Sequence, residues 1–106
     1  MQNHKGETIQ VESFVAVAYD DQYFVGQVTN ITRNVMTVKF LKRGTNGYYI
    51  WPRRNDIAEV DLKFIFSASV QFEGRGLDKN GVGFIVDEDD LQEQYEAYKN
   101  DYMSGW

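Results

Sequence analysis

A chain of 106 residues that is 42% hydrophobic, 25% charged and 15% aromatic fits one globular domain with its own core. It contains no cysteine and one histidine, His4, so disulfide scaffolds, thiolate metal sites and most nucleophile-and-base catalysts lack their central residue. The net charge of −5 is unevenly spread: residues 1–76 carry nine Lys/Arg against eight Asp/Glu, and residues 77–106 carry two against eight.

Residues 1–10 form a polar leader, expected to be flexible, without the apolar stretch of a signal peptide. The run Phe14 to Tyr19 is six residues long, far short of the ~20 that a membrane span needs, so no membrane partner is expected. Phe14 to Tyr19 predicts a strand, stopped by the turn-prone Asp20-Asp21-Gln22. Tyr23 to Ile31 predicts a second strand, with Tyr23, Val25, Gln27, Thr29 and Ile31 on one face and Phe24, Gly26, Val28 and Asn30 on the other. Neither face is purely polar, as in a strand that curls within a small barrel. Arg33-Asn34 supplies a turn, and Val35 to Leu41 a third strand. A glycine-containing loop, 42–47, precedes a fourth extended piece, Tyr48 to Trp51, which Pro52 ends. A short strand at Ile57 to Val60, a tight turn and a last strand follow, and the short, closely spaced strands over residues 11–73 read as a five-stranded barrel, with the piece that Pro52 ends at its edge. Val70 to Phe72 is expected to extend that last strand. Residues 74–86 read as a glycine-rich connector. Leu91, Tyr95, Tyr98 and Tyr102 then recur at spacings of four, three and four, predicting an acidic amphipathic helix over 87–102 capped by Asp87.

The stretch Val17-Ala18-Tyr19-Asp20-Asp21-Gln22-Tyr23-Phe24-Val25-Gly26-Gln27-Val28, followed by Met36-Thr37-Val38-Lys39-Phe40, resembles a Tudor domain. The shared pattern is an aromatic ending the first strand, an acidic turn, an aromatic pair opening the second, and a small residue before a valine. Trp51-Pro52-Arg53-Arg54-Asn55-Asp56-Ile57 and the acidic helix resemble a Tudor-like module of animal proteins, some of them derived from mobile elements. The resemblance implies an SH3-like barrel of the chromatin-reading royal family, mainly β with a C-terminal helix. It further implies an intracellular, nuclear setting and a non-enzymatic role in protein–protein interaction. Many such domains hold a methylated lysine or arginine of a histone-type tail in a cage of aromatic rings, because a methylated cation is weakly hydrated and drawn to ring faces. By position, the cage here comprises Tyr19, Phe24 and Phe40, with Asp20 or Asp21 accepting a hydrogen bond and Tyr48 or Tyr49 folding over to complete the box. Tyr23 is expected to point inward, away from Phe24. Lys42-Arg43-Gly44 stands where methyl-binding members place an aromatic and a polar residue.

A second candidate is the basic group Lys39, Lys42, Arg43, Arg53 and Arg54, interleaved with Phe40, Tyr48, Tyr49 and Trp51, a composition that suits single-stranded nucleic acid or an acidic protein. The net negative charge opposes steering toward polyanions, so this reading comes second. The acidic helix offers a third role, as an assembly element. Residues 78–89 partly match a calcium loop, but Val82 lacks a side-chain oxygen and Asp89 is shorter than the usual glutamate. No metal or cofactor is expected. The paired carboxylates lie in a turn and in the acidic tail, where solvent keeps them ordinary, so no catalysis is expected.

Overall fold

The computed structural model describes residues 6–44, 48–78 and 81–100. The chain is mainly β, with two antiparallel sheets and one C-terminal helix. Its strands are β1 (Phe14–Tyr19), β2 (Gln22–Thr32), β3 (Val35–Phe40), β4 (Lys42–Arg43), β5 (Tyr49–Ile50), β6 (Asp56–Asp61), β7 (Ile65–Ser67), β8 (Phe72–Asp78) and β9 (Gly81–Val86), followed by helix α1 (Glu88–Tyr98). A one-turn 3₁₀ helix, Leu62–Phe64, joins β6 to β7. One sheet has five strands in the order β6-β3-β2-β1-β7, and the other has four in the order β4-β5-β9-β8. Among the described residues, hydrogen bonding leaves β6 and β7 as the two ends of the five-stranded sheet.

Local chemistry sets the first hairpin. Tyr19 pairs with Gln22, so Asp20 and Asp21 form a two-residue loop, and their φ values of +52° and +61° are left-handed. That is the twist a tight hairpin requires, and Asp tolerates it better than most residues with a Cβ. In β2 the register shifts between Val28 and Asn30. The shift carries Ile31 to the side of Val28 and Met36, whereas strict alternation placed it with Tyr23 and Val25. A β-bulge re-aims the strand in this way. Gly26 is required by close approach: a Cβ there would sit 2.6 Å from Val38 Cγ1 and 2.8 Å from the Lys39 carbonyl oxygen.

Both faces of β1 are buried. Val15 and Val17 join Ile9, Val28, Met36, Val38, Val60 and Ile65 in one core. Ala16 and Ala18 face a second core of Phe66, Tyr49, Leu91, Tyr95 and Tyr98. Their small side chains leave room for the rings that the helix and β7 bring. The helix begins where Asp87 accepts from the Asp90 amide at 3.0 Å, with Glu88, Asp89 and Asp90 in a first turn whose dipole favours anions. Its buried face, Leu91, Tyr95 and Tyr98, docks with the Tyr98 hydroxyl donating to the Lys63 carbonyl at 2.7 Å. Each buried side chain contributes roughly 2 kcal/mol of apolar burial.

Several expectations are corrected. Residues 74–86 are not a connector: most of them pair as the β8–β9 hairpin. Strand β5, expected in the barrel, lies instead in the second sheet beside β4, which falls where a loop was expected. Val70 does not extend β7; its amide donates to Phe14 O, and Phe72 opens β8. The leader is anchored at Ile9, which is buried. Tyr102 and His4 lie outside the described residues.

Candidate functional site

Register places the three predicted cage rings on one side of the five-stranded sheet. Val17 pairs with Phe24, and Tyr19, two residues on from Val17, shares its face. Gly26, two residues on from Phe24, pairs with Phe40. The Tyr19 and Phe24 ring centroids are 6.3 Å apart at an interplanar angle of 56°, and those of Phe24 and Phe40 are 6.2 Å apart at 75°. A cation about 4.5 Å from each of two perpendicular ring faces, within the reach of a cation–π contact, separates their centroids by about 6.4 Å. The observed spacings therefore match adjacent walls of a box. Tyr19 is 70% exposed and Phe24 36%, while Phe40 is half-buried against the Val17–Val38 core.

These rings line a hollow of about 510 Å³ together with Val17, Ala18, Phe64 and β6 residues. The hollow is the unfilled end of the first core, with Val17 and Val60 shared between the two. Asp56, Glu59 and Asp61 line it and, among the described residues, no lysine or arginine does; Asp56 shares the ring face, whereas Glu59 and Asp61 pair on the opposite face and Asp61 accepts from the Lys63 amide at 3.0 Å. Phe64 reaches it because the 3₁₀ turn ends there, at the tight turn expected after Val60. Phe64 and the acids were not given a site role in the sequence, since only the long-range pairing of β6 with β3 brings Asp56 to the rings.

The remaining predicted residues lie elsewhere. Asp20 and Asp21 build the hairpin turn and do not line this hollow, though Asp21 lines the neighbouring one. Tyr48 packs on the second sheet, where a Cβ on Gly83 would come within 2.7 Å of it. Tyr23 points away from Phe24, as expected, and packs against Phe66 and Tyr95.

The neighbouring hollow, about 770 Å³, lies between β2, β4, β5 and the helix and shares Phe24 and Asp56 with the first. A polar network crosses it. Arg43 Nη2 is 3.0 Å from Glu88 Oε1 and donates to the Tyr49 hydroxyl at 3.1 Å, and the Tyr23 hydroxyl donates to Glu88 Oε2. Burial, then the hydrogen bond to Glu88 and its charge, holds the Tyr23 hydroxyl well above its ordinary range. Burial raises Tyr49 as well, with the hydrogen bond from Arg43 opposing it. That bond to Tyr49 leads the causes that raise Arg43.

Two members of the basic group are engaged by other side chains. Arg43 is held by Glu88, and Lys39 Nζ lies 4.7 Å from the centre of the Trp51 ring. Lys42 lines the second hollow, and Arg53 and Arg54 are exposed in the bend after Pro52. No protein-family model, curated protein or solved structure matches the chain. Among the described residues no helix is long and apolar enough to cross a membrane.

Proposed function

We propose that this chain is a non-enzymatic, Tudor-like binding module that takes a methylated lysine or arginine side chain of a peptide into the hollow walled by Tyr19, Phe24 and Phe40. The observation that carries this reading is the placing of those rings, at spacings of 6.3 and 6.2 Å, along one open hollow with Asp56 on the same face and, among the described residues, no basic lining residue. A methylated cation loses little hydration on entering, gains ring-face attraction of ~0.5–2 kcal/mol per good contact, and has the Asp56 carboxylate on its side of the sheet. Lys42 and Arg43, which stand where the family places cage residues, line the other hollow and do not oppose the cation in this one.

The strand order supports the SH3-like part of the reading. A meander β1-β2-β3-β6 whose fifth strand follows a 3₁₀ turn and returns to β1 is the arrangement such a barrel needs. The second sheet and helix are then additions packed on the outer face of β1. Nucleic-acid binding through the basic group has less support, since two of its members are already engaged with Glu88 and Trp51.

NMR titration with a lysine peptide in its unmodified, mono-, di- and trimethylated forms tests the proposal. Methyl-dependent shifts at Tyr19, Phe24 and Phe40, lost in Phe24→Ala, are expected. Equal response to the unmodified peptide, or shifts confined to Lys42, Arg53 and Arg54, would remove the reader role.

A further inference from the structure

Resting on that reading of the ring-walled hollow, we infer that its ligand is an extended basic peptide that adds to the free edge of β6 as a further strand. Four consecutive residues, Ala58 to Asp61, line the hollow. Side chains alternate between the faces of a strand, so a surface lined by one face would include only every second residue. An unbroken run means that the hollow runs along the edge of β6 and meets its backbone. Among the described residues, β6 pairs with β3 and with no other strand.

The polarity of that edge follows from one hydrogen bond. The Leu62 amide donates to Asn34 O at 2.8 Å, one rung beyond the Val35–Asp61 pair. Hydrogen-bonded rungs alternate in an antiparallel ladder, so Val60 and Ala58 bond to β3 while Glu59 and Ile57 turn their N–H and C=O groups outward. These are groups that an incoming strand would satisfy. The side chains select the occupant. Asp56, Glu59 and Asp61 make the edge acidic, which favours a basic peptide and opposes a second copy of β6, whose acids would face these. Such a peptide lies with its methylated residue among the rings and its backbone on Glu59 and Ile57.

The test uses three probes: a capped twelve-residue basic peptide with one central dimethyllysine, the same peptide N-methylated at backbone amides of one parity or the other, and N-acetyl-dimethyllysine amide alone. The peptide is expected to bind at least about tenfold more tightly than the single residue, as two or three backbone hydrogen bonds imply. N-methylation at one parity removes that gain and at the other preserves it. Ile57→Pro, which deletes an outward N–H and spares the β3 ladder at an exposed residue that does not line the hollow, removes the gain while the single residue still binds. Equal loss at both parities, or at neither, overturns strand addition and leaves the ring-walled site standing. A parity effect with no dependence on the methyl groups keeps the edge and discards the cage. A dimer in sedimentation that Ile57→Pro dissolves shows that a second copy is the occupant, and overturns the proposal.

Discussion

Two aromatic clusters lie on opposite faces of the same short strand, and they meet different ends. On the Ala16 and Ala18 face, the Tyr95 and Tyr98 rings pack at 5.6 and 5.9 Å from Phe66, and the Tyr98 hydroxyl finds a backbone carbonyl. On the Val17 face, Tyr19, Phe24 and Phe40 stand in a row at comparable spacing, yet no further side chain fills the space they surround. The residue types are alike. What differs is the supply of neighbours: the helix closes the first cluster, whereas the second sits at the mouth of the valine-rich core. Ring density therefore marks a closed core in one place and, on the proposed reading, a site in the other, and the distinction is made by elements distant in sequence.

The sharpest way to break this contrast is to truncate one ring in each cluster. Phe66→Ala opens a cavity in a closed core and is expected to cost about 3–5 kcal/mol, read by urea denaturation. Phe24→Ala removes a half-exposed ring and is expected to cost about 1 kcal/mol, while weakening methylated-peptide binding by about tenfold. Similar stability losses from the two variants would show that Phe24 is core and the hollow a packing defect. Gly26→Ala comes next in size. Its methyl group would collide with the Lys39 carbonyl as well as Val38, so β2 and β3 must separate, at about 1–3 kcal/mol. Because Gly26 pairs with Phe40, that separation also displaces a cage wall, and binding should fall together with stability.

Much of this arrangement was legible in the sequence because it is local. The acidic turn fixes a hairpin, the hairpin fixes which of Tyr23 and Phe24 faces the second core, and the spacing of Leu91, Tyr95 and Tyr98 fixes the buried side of the helix. The second sheet was not legible. Its strands carry glycines at 74, 76, 81 and 83, which read as a connector when taken one by one. Their use appears only in pairing, where the absence of a Cβ at Gly83 admits Tyr48. The acids of the hollow were hidden for the same reason. Asp56 looks like a solvated position on an alternating strand until β6 is placed against β3, opposite Phe40.

The closed cluster and its border should also fail in alkali. Tyr23, Tyr49 and Tyr95 have hydroxyl pKa values raised in the folded state, chiefly by burial. The unfolded chain releases these protons first, near pH ~10, so stability is constant below that value and falls as pH rises through it. Thermal melting between pH 8 and 11 checks the sign. Replacing the acceptor with a neutral one, Glu88→Gln, removes both the charge that raises Tyr23 and the partner of Arg43. It should flatten the alkaline fall and cost about 1 kcal/mol at neutral pH. An unchanged alkaline profile would mean that Tyr23 does not sense Glu88.

The smallest effect tests which carboxylates belong to the open cluster. Sequence position points to Asp20 and Asp21, which follow Tyr19 directly, while geometry points to β6 and above all to Asp56, which pairs with Phe40 on the ring face. The double variant Asp20→Asn, Asp21→Asn keeps residues that accept the left-handed backbone of the turn, so the hairpin should persist within about 0.5 kcal/mol. If the acids of β6 provide the counter-charge, methylated-peptide affinity should change by less than about twofold in that double variant, as expected of exposed charges outside the hollow. Asp56→Asn should weaken it by more, because Asp56 borders both hollows beside Phe24. The reverse order of effects would place the cation over the hairpin turn, between Tyr19 and solvent, and would separate the ligand from the β6 edge altogether.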